Sequence, residues 1–169
     1  MRPEDAKVIA DFLLANLEHE AKTTAGVFAA VPGERLDYQP DPKSKSALGL
    51  LRHMVLEDEW LLNAVADARF GPMPDDSDAC GVMTPQDAVA RYQERLASAI
   101  ARVRALPADA LVRPVDFFGN TVPAIVVLSI MVRHSIHHRG QLSTYLRPMG
   151  GTVPSIYGPT ADTHVSAAG

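Results

Sequence analysis

A chain of 169 residues with 47% hydrophobic and 21% charged residues carries enough apolar material for a single sizeable core, and so for one domain over residues 1–169. A net charge of −4 with no long basic run argues against nucleic acid as a partner. The one cysteine, Cys80, excludes an intramolecular disulfide and a cysteine-built zinc site; without an apolar secretion segment or a run near the ~20 residues that cross a bilayer, a cytoplasmic protein with no membrane partner is expected.

The first predicted helix runs from about Glu4 to Ala30, with Val8, Phe12, Ala15, His19 and Phe28 as its apolar row and Leu13 and Leu17 alongside. Pro32 and Gly33 end it, and Pro40 and Pro42 keep the following stretch from continuing as helix. A second helix starts near Ser44 or Ser46, either of which can cap it, and continues to about Arg69. Its inward row reads Ser46, Leu50, His53, Glu57, Trp60, Ala64. Phe70 to Val82, rich in Pro, Gly, Asp and Ser, reads as a loop that contains Cys80.

Thr84, Pro85 and Asp87 open the third helix as N-cap, first helical residue and favourable charge at the positive end of the helix dipole. It runs to about Ala105 with Val89, Tyr92, Leu96, Ile100 and Val103 on one stripe. Pro107 to Asn120 is irregular, and Gly119 and Asn120 suggest a turn or short hairpin. The fourth helix begins near Thr121 or Val122 and ends before Pro148. The remainder, from about 152, has no periodicity: Tyr157 is expected to pack on the body and the last ten residues to be mobile. Four long helices without convincing strands make this an all-α chain, a four-helix bundle.

The fourth helix holds the chemistry. Its core-facing stripe runs Val127, Met131, His134, His138, Leu142, Tyr145. His134 and His138 stack at i and i+4, a spacing from which two imidazoles can hold one metal ion. The structural alternative is a pair of core histidines satisfied by hydrogen bonds. His137 points about 100° away from His138 and is the weaker candidate. A third ligand would leave an open position on the metal, which suits chemistry better than a structural clip. In a bundle it must come from a facing helix. His53 is the best placed, His19 ranks below it, and His164 in the tail is expected to be solvated. Glu57, one turn from His53, can be a fourth ligand, an acceptor that fixes an imidazole tautomer, or a surface charge. Gly140, mid-helix, hints at close approach by a neighbouring helix or a second subunit.

Three blocks of residues resemble a known family. The strongest is His134 to Leu142 followed by Tyr145, Leu146, Arg147, Gly150, Val153, Pro154, Tyr157 and Gly158. The second is Leu51, Arg52, His53 and Met54 with Glu57 and Trp60; the third spans Val31–Pro32, Leu36 to Tyr38 and Pro40 to Ser44. Together they resemble the DinB-like superfamily, also called DinB/YfiT-like, over most of the chain. The resemblance implies a divalent metal on His53, His134 and His138, an up-down-down-up bundle and a homodimer.

It also implies function. Several relatives of this fold transfer low-molecular-weight thiols, such as bacillithiol or mycothiol, to electrophiles. Three neutral imidazoles leave the metal's charge undiminished and suit zinc, nickel, copper or iron, with zinc or nickel favoured here. The leading expectation is a metal-dependent transferase that makes a thiolate from such a thiol for attack on a small-molecule substrate. Gln141 is expected to contact substrate, and Arg139 and Arg147 to hold an anionic cofactor or make ion pairs. The alternatives are a metal-dependent hydrolase with Glu57 as general base, or a stress-associated dimer whose metal only stabilises it.

Overall fold

The computed structural model describes residues 1–163. The expectation for His164 lies outside the described residues, as does that for the tail from 164 on. Four helices carry the fold: α1 (Pro3–Ala29), α2 (Ala47–Asp67), α3 (Pro85–Arg104) and α4 (Ala124–Leu146). Local chemistry sets their starts. The Ser46 hydroxyl accepts the Gly49 N–H at 3.1 Å and caps α2. Thr84 and Asp87 exchange side-chain-to-backbone bonds at 3.1 and 2.9 Å, a reciprocal cap on α3.

α4 starts later than Thr121 or Val122, and the stretch before it is not strand-free. Strand β1 (Pro114–Phe117) pairs antiparallel with β2 (Asn120–Pro123). Phe118 and Gly119 make the turn with φ of 49° and 85°, the two positive angles a two-residue hairpin favours. The turn thus sits one residue earlier than Gly119–Asn120. Pro123 disfavours helical backbone at Val122, so α4 cannot begin before it.

α1 packs on α3 and α4, and α2 packs on the same two, so α1 lies diagonal to α2 and α3 diagonal to α4. Contacts along the helices give their directions. Glu18 meets Arg104 at the end of α3, whereas Phe28 stacks on Tyr92 nearer its start; α1 and α3 are antiparallel. Glu59 meets Arg95 and Asp67 meets Arg102, so α2 and α3 are parallel. Tyr145, His138 and His134 of α4 meet Lys45, His53 and Asp58 in turn, so α2 and α4 are antiparallel. The order is up-down-down-up. A parallel pair needs a connection that returns along its length, and residues 68–84 provide it. Arg52, buried in α2, pins that crossover by donating to the Val82 carbonyl at 2.9 Å, the Asp76 carbonyl at 3.1 Å and the Asp78 carboxylate at 2.6 Å.

Buried side chains from all four helices and Val115 of the hairpin form one apolar cluster. The inward face of α1 differs from the expected row. Ala6, Ala10, Leu14, Leu17 and Phe28 are buried, whereas Val8 and Phe12 stand 71% and 68% exposed and Ala15 and His19 also face out. Both faces of this half-helix are apolar; the one with alanines at 6 and 10 admits close helix approach. Gly140 is exposed, and among the described residues no neighbouring element lies within 4 Å of where its Cβ would be, so no neighbouring helix approaches it closely. No helix among the described residues is long and apolar enough to cross a membrane.

Candidate metal centre

The antiparallel α2–α4 pair brings His53 to His134 and His138. Their ring centroids lie 5.0, 4.3 and 4.4 Å apart, and one ring nitrogen from each falls within 4.8 Å of the others. His53 Nε2 and His138 Nε2 are 3.0 Å apart. Two nitrogens this close can both reach one ion at the ~2 Å of an imidazole–metal bond. His137 is exposed and stacks on the outside of His138. His19 is on the outer face of α1.

Each of the three imidazoles has an oxygen acceptor at Nδ1. Glu57 Oε1 stands 2.8 Å from His53, Asp58 Oδ1 3.2 Å from His134 and Gln141 Oε1 2.6 Å from His138. An acceptor there places the proton on Nδ1 and leaves the Nε2 lone pair for a cation. The arrangement fits a divalent transition metal on chemical grounds: three imidazole nitrogens within 4.8 Å of one another with acidic groups behind them, His134 giving up a proton when it binds. Glu57 Oε2 also comes within 3.4 Å of His134 Nε2, so this carboxylate borders the metal position as well as orienting His53.

Titration behaviour follows from these contacts. Burial alone pushes the Glu57 carboxyl up, but the bonds to His134 and His53 together outweigh it and bring it down to about 2. Burial likewise works against charge on His134; Asp58 and Glu57 more than offset it and raise that imidazole to about 9. His138 faces the opposite balance. Burial lowers it, its Gln141 bond opposes, and the charges of His134 and His53 add to the fall, to about 4.

Asp58 is the functional residue that sequence reasoning missed. It is fully buried, and its second oxygen accepts from the Tyr92 hydroxyl at 3.1 Å. Burial, reinforced by the Asp58 charge, pushes the Tyr92 hydroxyl far up, so it stays a donor. Ser135, also buried, completes the chain at 3.2 Å from the Tyr92 oxygen. The signal was present: Asp58 continues the row Leu51, Met54, Asp58, Leu61, Val65. A carboxylate inside an apolar row needs buried partners.

The other candidates separate cleanly. Gln141 lines the cavity beside the histidines and its side-chain oxygen holds His138. Arg139, 1% exposed, turns to the α1 side. It pairs with Glu20 Oε2 at 2.5 Å, reaches Thr24, and donates to the Tyr157 hydroxyl at 2.5 Å with its guanidinium over that ring. Tyr157 in turn donates to Glu20 at 2.9 Å but stays 70% exposed; the segment after α4 packs on the body through Val153 and Ile156. Arg147 pairs with Asp162 at 2.9 Å. Neither arginine lines the histidine cavity. Cys80 sits in a short helical turn of the crossover, outside the histidine cluster.

Comparison with known proteins agrees with this architecture. The chain is 27% identical to YjoA of Bacillus subtilis (strain 168) over 128 residues, which are 73% of this chain and 80% of that protein. It is 40% identical to YrdA of the same organism over 48 residues, 28% of this chain and 29% of YrdA. Among solved structures, a DinB-like protein from Bacillus cereus ATCC 10987 superposes with a TM-score of 0.72 at 21% identity, over 86% of this chain and 95% of that one. The YjoA crystal structure gives 0.68 at 21% identity, over 88% and 99%. A mutant of the mycothiol-dependent maleylpyruvate isomerase shares the fold at 0.51 and 13% identity, over 92% of this chain and 66% of that one. The model of the DinB family matches residues 7–164, nearly the whole chain, and the chain belongs to that family.

Proposed function

We propose that this DinB-family protein is a metal-dependent enzyme that activates a low-molecular-weight thiol for transfer to an electrophilic small molecule. The observation that carries the reading is the set of three imidazoles, each tied at Nδ1 and with one nitrogen of each within 4.8 Å of the others, beside an open cavity of about 450 Å³. A zinc or nickel ion held there supplies Lewis acidity that makes a thiol far more acidic. No cysteine belongs to the cluster, so sulfur would come from outside. The fold likeness to a mycothiol-dependent isomerase supports a thiol as co-reactant, without fixing the reaction.

The chain's own groups have defined parts in this reading. Glu57, Asp58 and Gln141 hold the imidazole tautomers. Glu57, with one oxygen on His53 and the other beside His134, is held near 2 and makes a poor general base, which weighs against hydrolysis. The outward Val8 and Phe12 on α1 support self-association, and we assign the working unit as a cytoplasmic homodimer.

The test is elemental analysis of unchelated protein followed by a monochlorobimane assay. The expected result is about one zinc or nickel per chain and electrophile loss that needs both metal and thiol. His53→Ala should abolish both. Turnover with metal alone would replace this reading with the hydrolase.

A further inference from the structure

The cavity beside the three histidines has an uneven charge. Lys43 and Lys45 line it from the connection before α2, and Gln141 and Tyr145 line it from α4; among the described residues no carboxylate does. The acids near the centre lie elsewhere. Asp58 is bonded to His134 on the bundle side, and Glu57, bonded to His53, lines with Asp76, Met73 and Pro74 an adjoining cavity that meets the first at Lys45 and His53.

The lysine-bearing segment is fastened in place. The Tyr145 hydroxyl donates to the Lys45 carbonyl at 3.2 Å, and Tyr145 packs edge-on against Tyr38 with ring centres 5.6 Å apart. The Asp41 side chain accepts the Lys43 N–H at 2.8 Å, and the Asp41 carbonyl accepts the Ser44 N–H at 2.9 Å. The Ala47 N–H donates to the Tyr38 carbonyl at 2.8 Å. The backbone is thus held over the centre while the lysine heads stay in water. Lys45 meets Asp76 at 3.5 Å with both side chains about half exposed, a contact that a competing anion displaces at little cost.

Building on the metal-centre reading above, we infer that the ligand completing this centre is an anionic thiol, its negative group received by Lys43 and Lys45. Two cations and no acid on one concave wall concentrate anions there. The cavity volume suits a small metabolite that reaches from the metal to that wall.

Cobalt(II)-loaded protein tests this by absorption. Cobalt reports its own binding through its visible bands and sulfur ligation through a near-ultraviolet charge-transfer band. The probes are 3-mercaptopropionate and its neutral amide. Two exposed cations are expected to favour the carboxylate by about tenfold at low salt, less at 0.5 M salt. A Lys43→Gln/Lys45→Gln double variant should bring the two within twofold while amide and cobalt affinities hold. Equal affinities in the unmodified protein overturn the inference, as does a preference that survives the double variant. Cobalt that binds without a sulfur band for either probe overturns the thiol reading and the inference together. Failure of cobalt to bind removes the metal centre itself.

Discussion

Two polar clusters share α4, on opposite flanks and a few residues apart. On the α1 flank, Arg139 meets Glu20, Thr24 and Tyr157. On the α2 flank, His134 and His138 meet Asp58, Gln141 and His53. In the first, the cation already has its counterion inside the protein, and the cluster clasps the tail to the bundle. In the second, each ring is bonded at Nδ1; the other nitrogens of His53 and His138 face each other, and that of His134 lies beside Glu57. Burial and charge are common to both; unspent coordinating capacity separates them.

The contrast is sharpest where one cluster is disabled and the other is read out. His138→Ala should reduce zinc affinity by more than the ~100-fold at which orienting groups act, while metal-free stability shifts little. Arg139→Ala should do the reverse. It leaves Glu20 with the Tyr157 hydroxyl but no counterion and should cost about 3 kcal/mol in denaturant unfolding, with zinc affinity of the folded protein held. Loss of zinc binding in folded Arg139→Ala would erase the distinction.

Asp58→Asn probes a smaller effect. Tyr92 and His134 both donate to Asp58, and an amide has one oxygen to accept with. Zinc affinity should fall about 10–100-fold with helix content retained. Gln141→Ala frees only the exposed edge of His138 and should fall at the lower end of that range, about tenfold.

Proton competition gives the gentlest handle. Without metal, His134 keeps its proton up to about pH 9, so zinc binding at pH 7 must release about one proton. Affinity should climb roughly tenfold per pH unit from 7 and level off above 9. The same raised pKa gives the metal-free fold a contribution complete below pH 6.5 and lost as pH rises through 9. Calorimetry in two buffers of different ionisation enthalpy measures the proton count; a count of zero contradicts the charged Asp58–His134 pair.

Much of this was readable before any coordinates. The Thr84–Asp87 cap set the start of α3 because both partners are local. The α4 stripe pointed His134 and His138 inward because its other members are strongly apolar, and Val127, Met131 and Leu142 are indeed fully buried. The α1 face was misread because that choice depends on what α3 and α4 present to it, which periodicity cannot show. Asp58 was missed because it lies between Glu57 and Glu59, and three consecutive acids look like solvent-facing charge. His53 stood first by its place on the inward row of the second helix, but fixing it as a ligand took the family resemblance, since a lone helical histidine carries no address for partners 81 and 85 residues away.

The diagonal arrangement has a consequence for how the chain reaches this state. Neither α1 with α2 nor α3 with α4 forms a side-by-side hairpin, and α2 with α3 needs the full crossover. Local helical hairpins, the quick steps of a simple up-and-down bundle, are therefore missing. Folding must wait for sequence-distant pairings and should be slow for an all-helical protein of this size. A nascent chain that has emerged only through α2 has no neighbour for the apolar side of either helix, so its first half is the part most in need of protection during synthesis.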